Sequence, residues 1–449
     1  MSENVINKPA AFQAPSAKWQ EQPVDQHSMR GRFNWTDIAF FLVLAAGAFY
    51  ALQTWPDSMD IYEKYILGGT VFFMVWMGWL WRPLRTLMIG VGLLSLLAIW
   101  LYDGNLDHAN TKFLLKYLIS SQSAVLWMCA MFFMATVMYW ISYFAPRFAW
   151  MGTVFTWSGV VMGFVGLMVR WREGHLIAAD MGHIPVSSLY EVFVLFCLIT
   201  AVFYLYYEKR YNTRALGGFV LLVISSAVIF LLWYTFERDA ATIAPLNNAL
   251  NSWWMKLHVP ANFIGYGTFA LAAMVGFAYM VKHHGETTSW RPMIPLLLVG
   301  AALIAEAFIF SDRGEASIFW IVYFGISVII VALILMMRKR IAASLPSFEV
   351  LDDVMYRAIS IGFAFFTVAT VLGALWAADA WGTYWQWDPK ETWALVVWLN
   401  YAAWLHLRLM KGMRGTVAAY WALVGLVITT FAFIGVNIFL SGLHSYGEL

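Results

Sequence analysis

The chain has 449 residues, of which 61% are hydrophobic and 12% charged, with 28 basic against 26 acidic residues. Apolar runs of about twenty residues, enough to cross a hydrocarbon core of roughly 30 Å as helix, exclude an ordinary soluble domain. The near-balance of charge excludes recognition of nucleic acid or of a strongly charged partner by net charge.

Residues 1–35 are polar and lack the apolar centre of a cleavable signal peptide, so they read as a disordered cytoplasmic tail. Spanning runs follow at 36–55, 64–81, 84–101, 122–144, 150–169, 188–207, 216–236, 259–281, 292–310, 316–337, 355–377, 391–409 and 417–440. The fold class expected is therefore all-α, a polytopic transmembrane bundle of about 13 spans. Cys129 and Cys197 lie inside apolar runs without CxxC spacing, which supports neither a disulfide framework nor thiol-redox chemistry, and the chain has no CxxCH of its own.

The connectors sort by charge. WRPLR (81–85), EKRYNTR (208–214), KHHGETTSWR (282–291), RKR (338–340) and RLMKGMR (408–414) fall on the side of the amino terminus if every run spans, and the positive-inside rule makes that side cytoplasmic. The carboxy terminus and segment 378–390 then face outward. His108, His175, His183, His258 and His444 fall in outward segments or at their helix ends, whereas only His406 lies within a span, roughly 22 Å along its helix from Glu391.

Segment 381–393, WGTYWQWDPKETW, concentrates indoles beside charges. A belt of aromatic rings at headgroup level accounts for scattered tryptophans. Asp388, Pro389 and Glu391 also have a local explanation, as N-cap, first helical residue and capping-box partner of the next span. Neither account absorbs the alternation of Trp381, Trp385 and Trp387. Large rings beside fixed charges suit a planar apolar ligand with a charged rim, and haem, which also needs axial imidazoles, is such a molecule.

His258 closes NSWWMKLH before one span, and His444 lies in SGLHSYG after the last. Each alone is a polar residue at a helix end, but both share the outward side with the tryptophans. His406 is either a functional intramembrane group or an interfacial histidine one turn from Arg408. Glu306 and Asn400 are further polar groups within spans. REGHLIAADMGHIPVSSLYE (172–191) reads as a loop with an N-cap at Ser187 or Ser188.

WGTYWQWDPKETWALVVWL resembles the tryptophan-rich signature of haem-handling membrane proteins of cytochrome c maturation. MGHIPVSSLYE, LDDVMYRAISIGFAFFTVATVLGALWA and GVNIFLSGLHSYG resemble, in turn, its GH-P-SNLYE segment, the span before the signature and the terminal histidine segment. Together they identify a member of the CcsA, or ResC, family of the type II system, over roughly residues 122–449. Residues 36–121 resemble the three-span extension carried by some bacterial members.

The resemblance implies a bacterial plasma-membrane complex with a CcsB/ResB-type protein, which carries haem b outward and attaches it to the two thiols of a CxxCH apocytochrome c as a holocytochrome c synthase. Carried over by position, His258 and His444 match the ligand pair of the outer haem. Trp381, Trp385, Trp387, Asp388 and Trp393 belong to the tryptophan signature, and His406 matches a histidine of an inner site completed by the partner. Charge and side suggest Arg170, Arg172 or Lys390 for the propionates. No residue stands out as a general acid or base.

The runs 292–310 and 316–337 depart from the family's simple connector, and both must span if His258 and the tryptophans are to share a face. Three other readings remain. A haem-delivery protein of the type I system would share the signature and flanking histidines. A b-type electron-transfer cytochrome would place paired histidines within spans, and a transporter of another solute would rest on Glu306 alone.

Overall fold

The structure, a computed structural model, describes residues 34–246, 250–285, 318–440 and 442. Every regular element among them is helical. Nine of these helices are long and apolar enough to cross a membrane, so the chain is a multi-pass, all-α membrane protein. The run 292–310 and residues Glu306 and His444 lie outside the described residues.

Two compact units divide at Thr86. In the first, α1 (Trp35–Thr54) and α2 (Ile61–Leu80) each start on a capping box, Asn34 with Asp37 and Asp60 with Glu63. Each box satisfies amide groups that would otherwise be orphaned at the helix start. Arg85 reaches the buried Asp37 at 2.6 Å. The division falls inside α3 (Arg82–Tyr102), whose second half shares a core cluster with residues of the second unit: Ala98 and Tyr102 pack with Ala124, Val165 and Val169.

The second unit is the helical bundle. It contains α4 (Ser121–Ser142), α5 (Ala149–Ile177), α6 (Leu189–Arg210), α7 (Gly217–Glu237), α8 (Met255–Gly285), α9 (Ile318–Met336) and α10 (Arg338–Ser344). Next come α11 (Phe348–Trp381), α12 (Pro389–Lys411) and α13 (Thr416–Thr430), which continues through a π turn at Phe431–Gly435 into Val436–Phe439. Helix α8 lies at the centre, packed on α6, α7, α10, α11 and α13. Its FALAAMVGFA stretch makes this possible, because small side chains let neighbouring backbones approach. At Gly276 a Cβ would stand 3.0 Å from the Ala419 carbonyl oxygen.

Twelve of the thirteen expected runs coincide with helices among the described residues, although α11 starts at Phe348 rather than 355, and α5 is an informative exception. The run 150–169 continues as helix to Ile177, so Arg170, Arg172, Glu173 and His175 are helical rather than part of a connector. The two buried charges of the continuation, Arg170 and Glu173, both have partners inside the bundle. Glu173 accepts from the Ser121 amide at 2.9 Å and from the hydroxyls of Tyr102 and Ser121. Arg170 donates to Glu191 at 2.7 Å and to the carbonyls of Ala241 and Thr242 at 2.6 and 3.3 Å.

Buried acids recur at helix ends, each with partners. Glu208 accepts from Tyr139, Tyr204 and Thr153 at 2.8, 2.6 and 2.6 Å. Asp352 holds Arg408 through both guanidinium amino groups. Glu191 closes the capping box of α6 on Ser188, which settles the choice between Ser187 and Ser188, and also accepts from the Ser187 amide at 2.9 Å.

Truncating one partner of a buried pair strands the other charge at a cost of roughly 3–5 kcal/mol. Arg170→Met is therefore expected to lower the thermal midpoint of the detergent-solubilised chain sharply. The double variant with Glu191→Gln should recover most of the loss; equal midpoints for the single and double variants would contradict the coupling.

Candidate functional site

At one end of the bundle, α8, α11, α12 and the π turn of α13 enclose a cavity of about 250 Å³. Its wall includes His258, Asn262, Phe263 and Tyr266 from α8, Gly373, Trp376 and Trp381 from α11, and Tyr384 and Trp385 from the following turn. Lys390 and Glu391 open α12 at its rim, Phe433 and Asn437 line it from the π turn and beyond, and Val186–Val192 closes another side.

Two hydrogen bonds to other described residues hold His258. Its Nδ1 lies 2.8 Å from the carbonyl oxygen of Ala369 and its Nε2 lies 3.1 Å from Asn262 Nδ2. A carbonyl only accepts, so Nδ1 carries the proton, and in the neutral ring Nε2 presents its lone pair. A backbone carbonyl behind one imidazole nitrogen is the arrangement that orients the other toward a metal. The ring comes this close to α11 because residue 373 is glycine: a Cβ there would meet His258 Cε1 at 2.8 Å. Trp376 adds an edge contact at 5.7 Å. One turn earlier, Trp254 Nε1 donates to Asp379 at 2.6 Å and ties the same two helices.

The tryptophans separate into different positions. Trp381 ends α11, Gly382 reverses the chain at φ +80°, and Trp381 and Trp385 face the cavity. Trp387 stands edge-on to Trp385 at 5.9 Å and is 68% exposed, with φ +59°. That backbone region is unfavourable for a bulky side chain. Trp393 lies off the cavity, its ring 4.3 Å from Phe431. Asp388 is the buried N-cap of α12, accepting from the Lys390 amide at 3.0 Å, and Glu391 completes the capping box.

His406 stands apart, near the far end of α12 and on its exposed face. It shares that face with the exposed Val396, Leu399, Ala403 and Met410, a stripe at three- and four-residue spacing. Of the cations suggested for an anionic rim, neither Arg170 nor Arg172 lines the cavity, and Arg170 is committed to Glu191. Lys390 does line it. One residue ahead of the apolar stretch of α12, its ammonium is pushed down to about 8 by burial, with Asp388 opposing the shift. Among the described residues no cluster of three or more His, Cys, Asp or Glu could hold a bare metal ion.

The cavity thus offers one oriented imidazole, aromatic faces, one ammonium beside the Glu391 carboxylate, and a wall in which apolar side chains alternate with the amides of Asn262 and Asn437, which suits a flat, largely apolar ligand carrying a metal and an anionic edge. Asn262, Gly373, Trp376 and Asp379 were not singled out from the sequence. Asn262 was within reach of such a reading, since it lies four residues after His258 on one helix face. The others required knowing that α8 and α11 are neighbours.

Residues 186–444 match the family model of the cytochrome c assembly protein. A cytochrome c biogenesis protein CcsA of Chlorella vulgaris is 31% identical over 71% of this chain and 93% of its own length. The protein of that name from Rippkaea orientalis is 30% identical over 69% of this chain and 93% of its own. That of Microcystis aeruginosa is 30% identical over 63% and 82%.

The left-handed backbone at Trp387 costs roughly 1–2 kcal/mol that glycine would not pay. Trp387→Gly is expected to raise the thermal midpoint of the solubilised chain, because the indole that it removes is exposed. A midpoint that falls would show that the indole contributes more to the fold than its backbone costs.

Proposed function

The chain belongs to the cytochrome c assembly family and serves cytochrome c maturation, and from that premise we propose that its cavity is the outer haem site of a type II synthase. Haem b is the cargo. The observation carrying this reading is His258, which lines the same cavity as Trp381 and Trp385 with its Nδ1 held by the Ala369 carbonyl.

In this reading His258 supplies one axial ligand and His444, outside the described residues, supplies the other from the chain's end. Trp381 and Trp385 lie along the porphyrin, and Trp387 extends that surface beyond the cavity. Lys390 pairs with a propionate at the rim. The positive-inside rule puts this end of the bundle outside the plasma membrane, since Lys282, Arg338 and Arg340 all lie at the opposite helix ends.

His406 then belongs to an inner site. Its exposure on α12 suits a ligand completed by a histidine of a second membrane protein, of the CcsB/ResB type, seated on the stripe from Val396 to Met410. The CxxCH segment of apocytochrome c approaches the outer cavity. Each thiol adds across one vinyl group, the sulfur forming the bond to carbon and the proton going to the neighbouring carbon, so no oxidant is consumed. The chain contributes geometry: two thiols and two vinyls are held in one arrangement, which replaces an improbable encounter by a local one. The substrate's own histidine displaces one axial ligand and makes the site a releasing one.

The test is the visible spectrum of the purified complex. His258→Ala and His444→Ala should each lose the bis-imidazole signature and regain it with added imidazole, while His406→Ala should lower total haem. Unchanged spectra in the first two would remove the ligand assignment. The Lys390 ammonium predominates below about pH 8 and is lost above it, so haem retention should fall between pH 7 and 9.5. Among the described residues, Asp388, Glu391, His258, Tyr266 and Tyr384 are the other titratable groups around the cavity. Lys390→Met should flatten the profile at the weaker level, and a wild-type profile that is already flat would exclude Lys390 as the propionate partner.

A further inference from the structure

Asn262 lies one helical turn beyond His258 on α8 and lines the same cavity. Its side chain makes one hydrogen bond among the described residues, to His258 Nε2 at 3.1 Å. For the neutral imidazole, the chemistry of that contact is determined on both sides. If Nε2 carried the proton, the lone pair of Nδ1 would face the Ala369 carbonyl oxygen at 2.8 Å, which is repulsive. With the proton on Nδ1, an inverted amide would point Oδ1 at the Nε2 lone pair, which is repulsive as well. The arrangement that remains has the Asn262 amide donating to the electron pair that a metal would use.

From this geometry, and resting on the haem reading above, we propose that Asn262 is a latch on His258, a positioning residue that competes with iron for Nε2. Without haem the amide satisfies a partly buried acceptor and keeps the imidazole aimed into the cavity. When haem arrives, the amide hydrogen bond is exchanged for the bond to iron. When the incoming substrate's histidine displaces His258, the amide recaptures the lone pair at once. The latch trades resting affinity for ease of release, as a site that must give up its cargo requires. No proton is transferred and no oxidation state changes in the exchange: the Nε2 lone pair gives up a hydrogen-bond donor and is accepted by a Lewis acid.

Three variants of the full-length chain in detergent test it, with haem binding titrated by Soret absorbance and thermal midpoints recorded alongside. Asn262→Leu, similar in volume and without a donor, should bind haem more tightly. The expected gain is roughly two- to tenfold in Kd, the range set by the net worth of one hydrogen bond. It should also slow transfer of bound haem to a CxxCH peptide. Asn262→Asp places an acceptor against Nε2, draws a proton onto it and should weaken haem binding. Asn262→Ala keeps the test open should leucine fail to fit, and it should also bind haem more tightly.

Equal or weaker binding in both apolar variants, with midpoints intact, would overturn the latch. His258→Ala separates the two readings. If it leaves the haem spectrum unchanged, the site assignment fails. If it abolishes the bis-imidazole spectrum while the apolar variants bind no more tightly, only the latch fails.

Discussion

Much of the site depends on a single close approach. The imidazole of His258 reaches the Ala369 carbonyl only because α8 and α11 pack tightly at that level, and they do so because residue 373 has no side chain. One contact therefore determines three properties: the distance between two long helices, the direction of the ring and the nitrogen that carries the proton. The Trp254–Asp379 hydrogen bond fastens the same helix pair nearer its end. A histidine held only by packing could turn about its side-chain bonds, whereas one held by a backbone carbonyl on a neighbouring helix keeps its direction as long as the bundle is intact.

Around that axis the connecting segments follow a second rule, which is to satisfy helix starts with acids. Two capping boxes meet the cavity, Ser188 with Glu191 and Asp388 with Glu391. The N-terminal ends of α6 and α12 would otherwise present orphan amides and partial positive charge to any ligand. Their carboxylates consume that potential, and Arg170 is in turn consumed by Glu191. What remains at the rim is Lys390, whose burial costs it part of its basicity. Among the described residues, basic side chains in the cavity wall are thus confined to one point, which suits recognition of a discrete anionic group on a largely apolar molecule.

How much of this could be read from the sequence depends on how local each determinant is. The long apolar helices were legible because runs of twenty apolar residues have few alternatives, and so was the Asp388-Pro389-Glu391 start, which involves only neighbours. The family and the residues carrying its signature were legible because motifs are contiguous. The extension of α5 to Ile177 was not, since it depends on Glu191 pairing with Arg170 and on Ser121 and Tyr102 hydrogen-bonding Glu173, charges that looked like a membrane boundary. Nor was the division among the tryptophans. Trp381 and Trp385 face inward, Trp387 outward and Trp393 toward Phe431 because Gly382 and the residue 387 backbone turn the chain, not because of any difference in side-chain type.

Helix α12 joins the two candidate haem positions and is itself shallowly embedded, with only Val397, Tyr401 and Trp404 buried along it. Lys390 stands at its first turn and His406 roughly 24 Å farther along, at the helical rise per residue. The exposed stripe between them runs along the helix without a charged residue. A helix with so little of its surface inside its own bundle has the rest available for lipid or for another protein, and a histidine in that stripe is costly against lipid alone. The cost disappears if a second protein's helix covers the stripe and its imidazole meets His406 across a shared metal. Completing the inner site and sealing the open face of α12 would then be one event, so haem loading would report assembly.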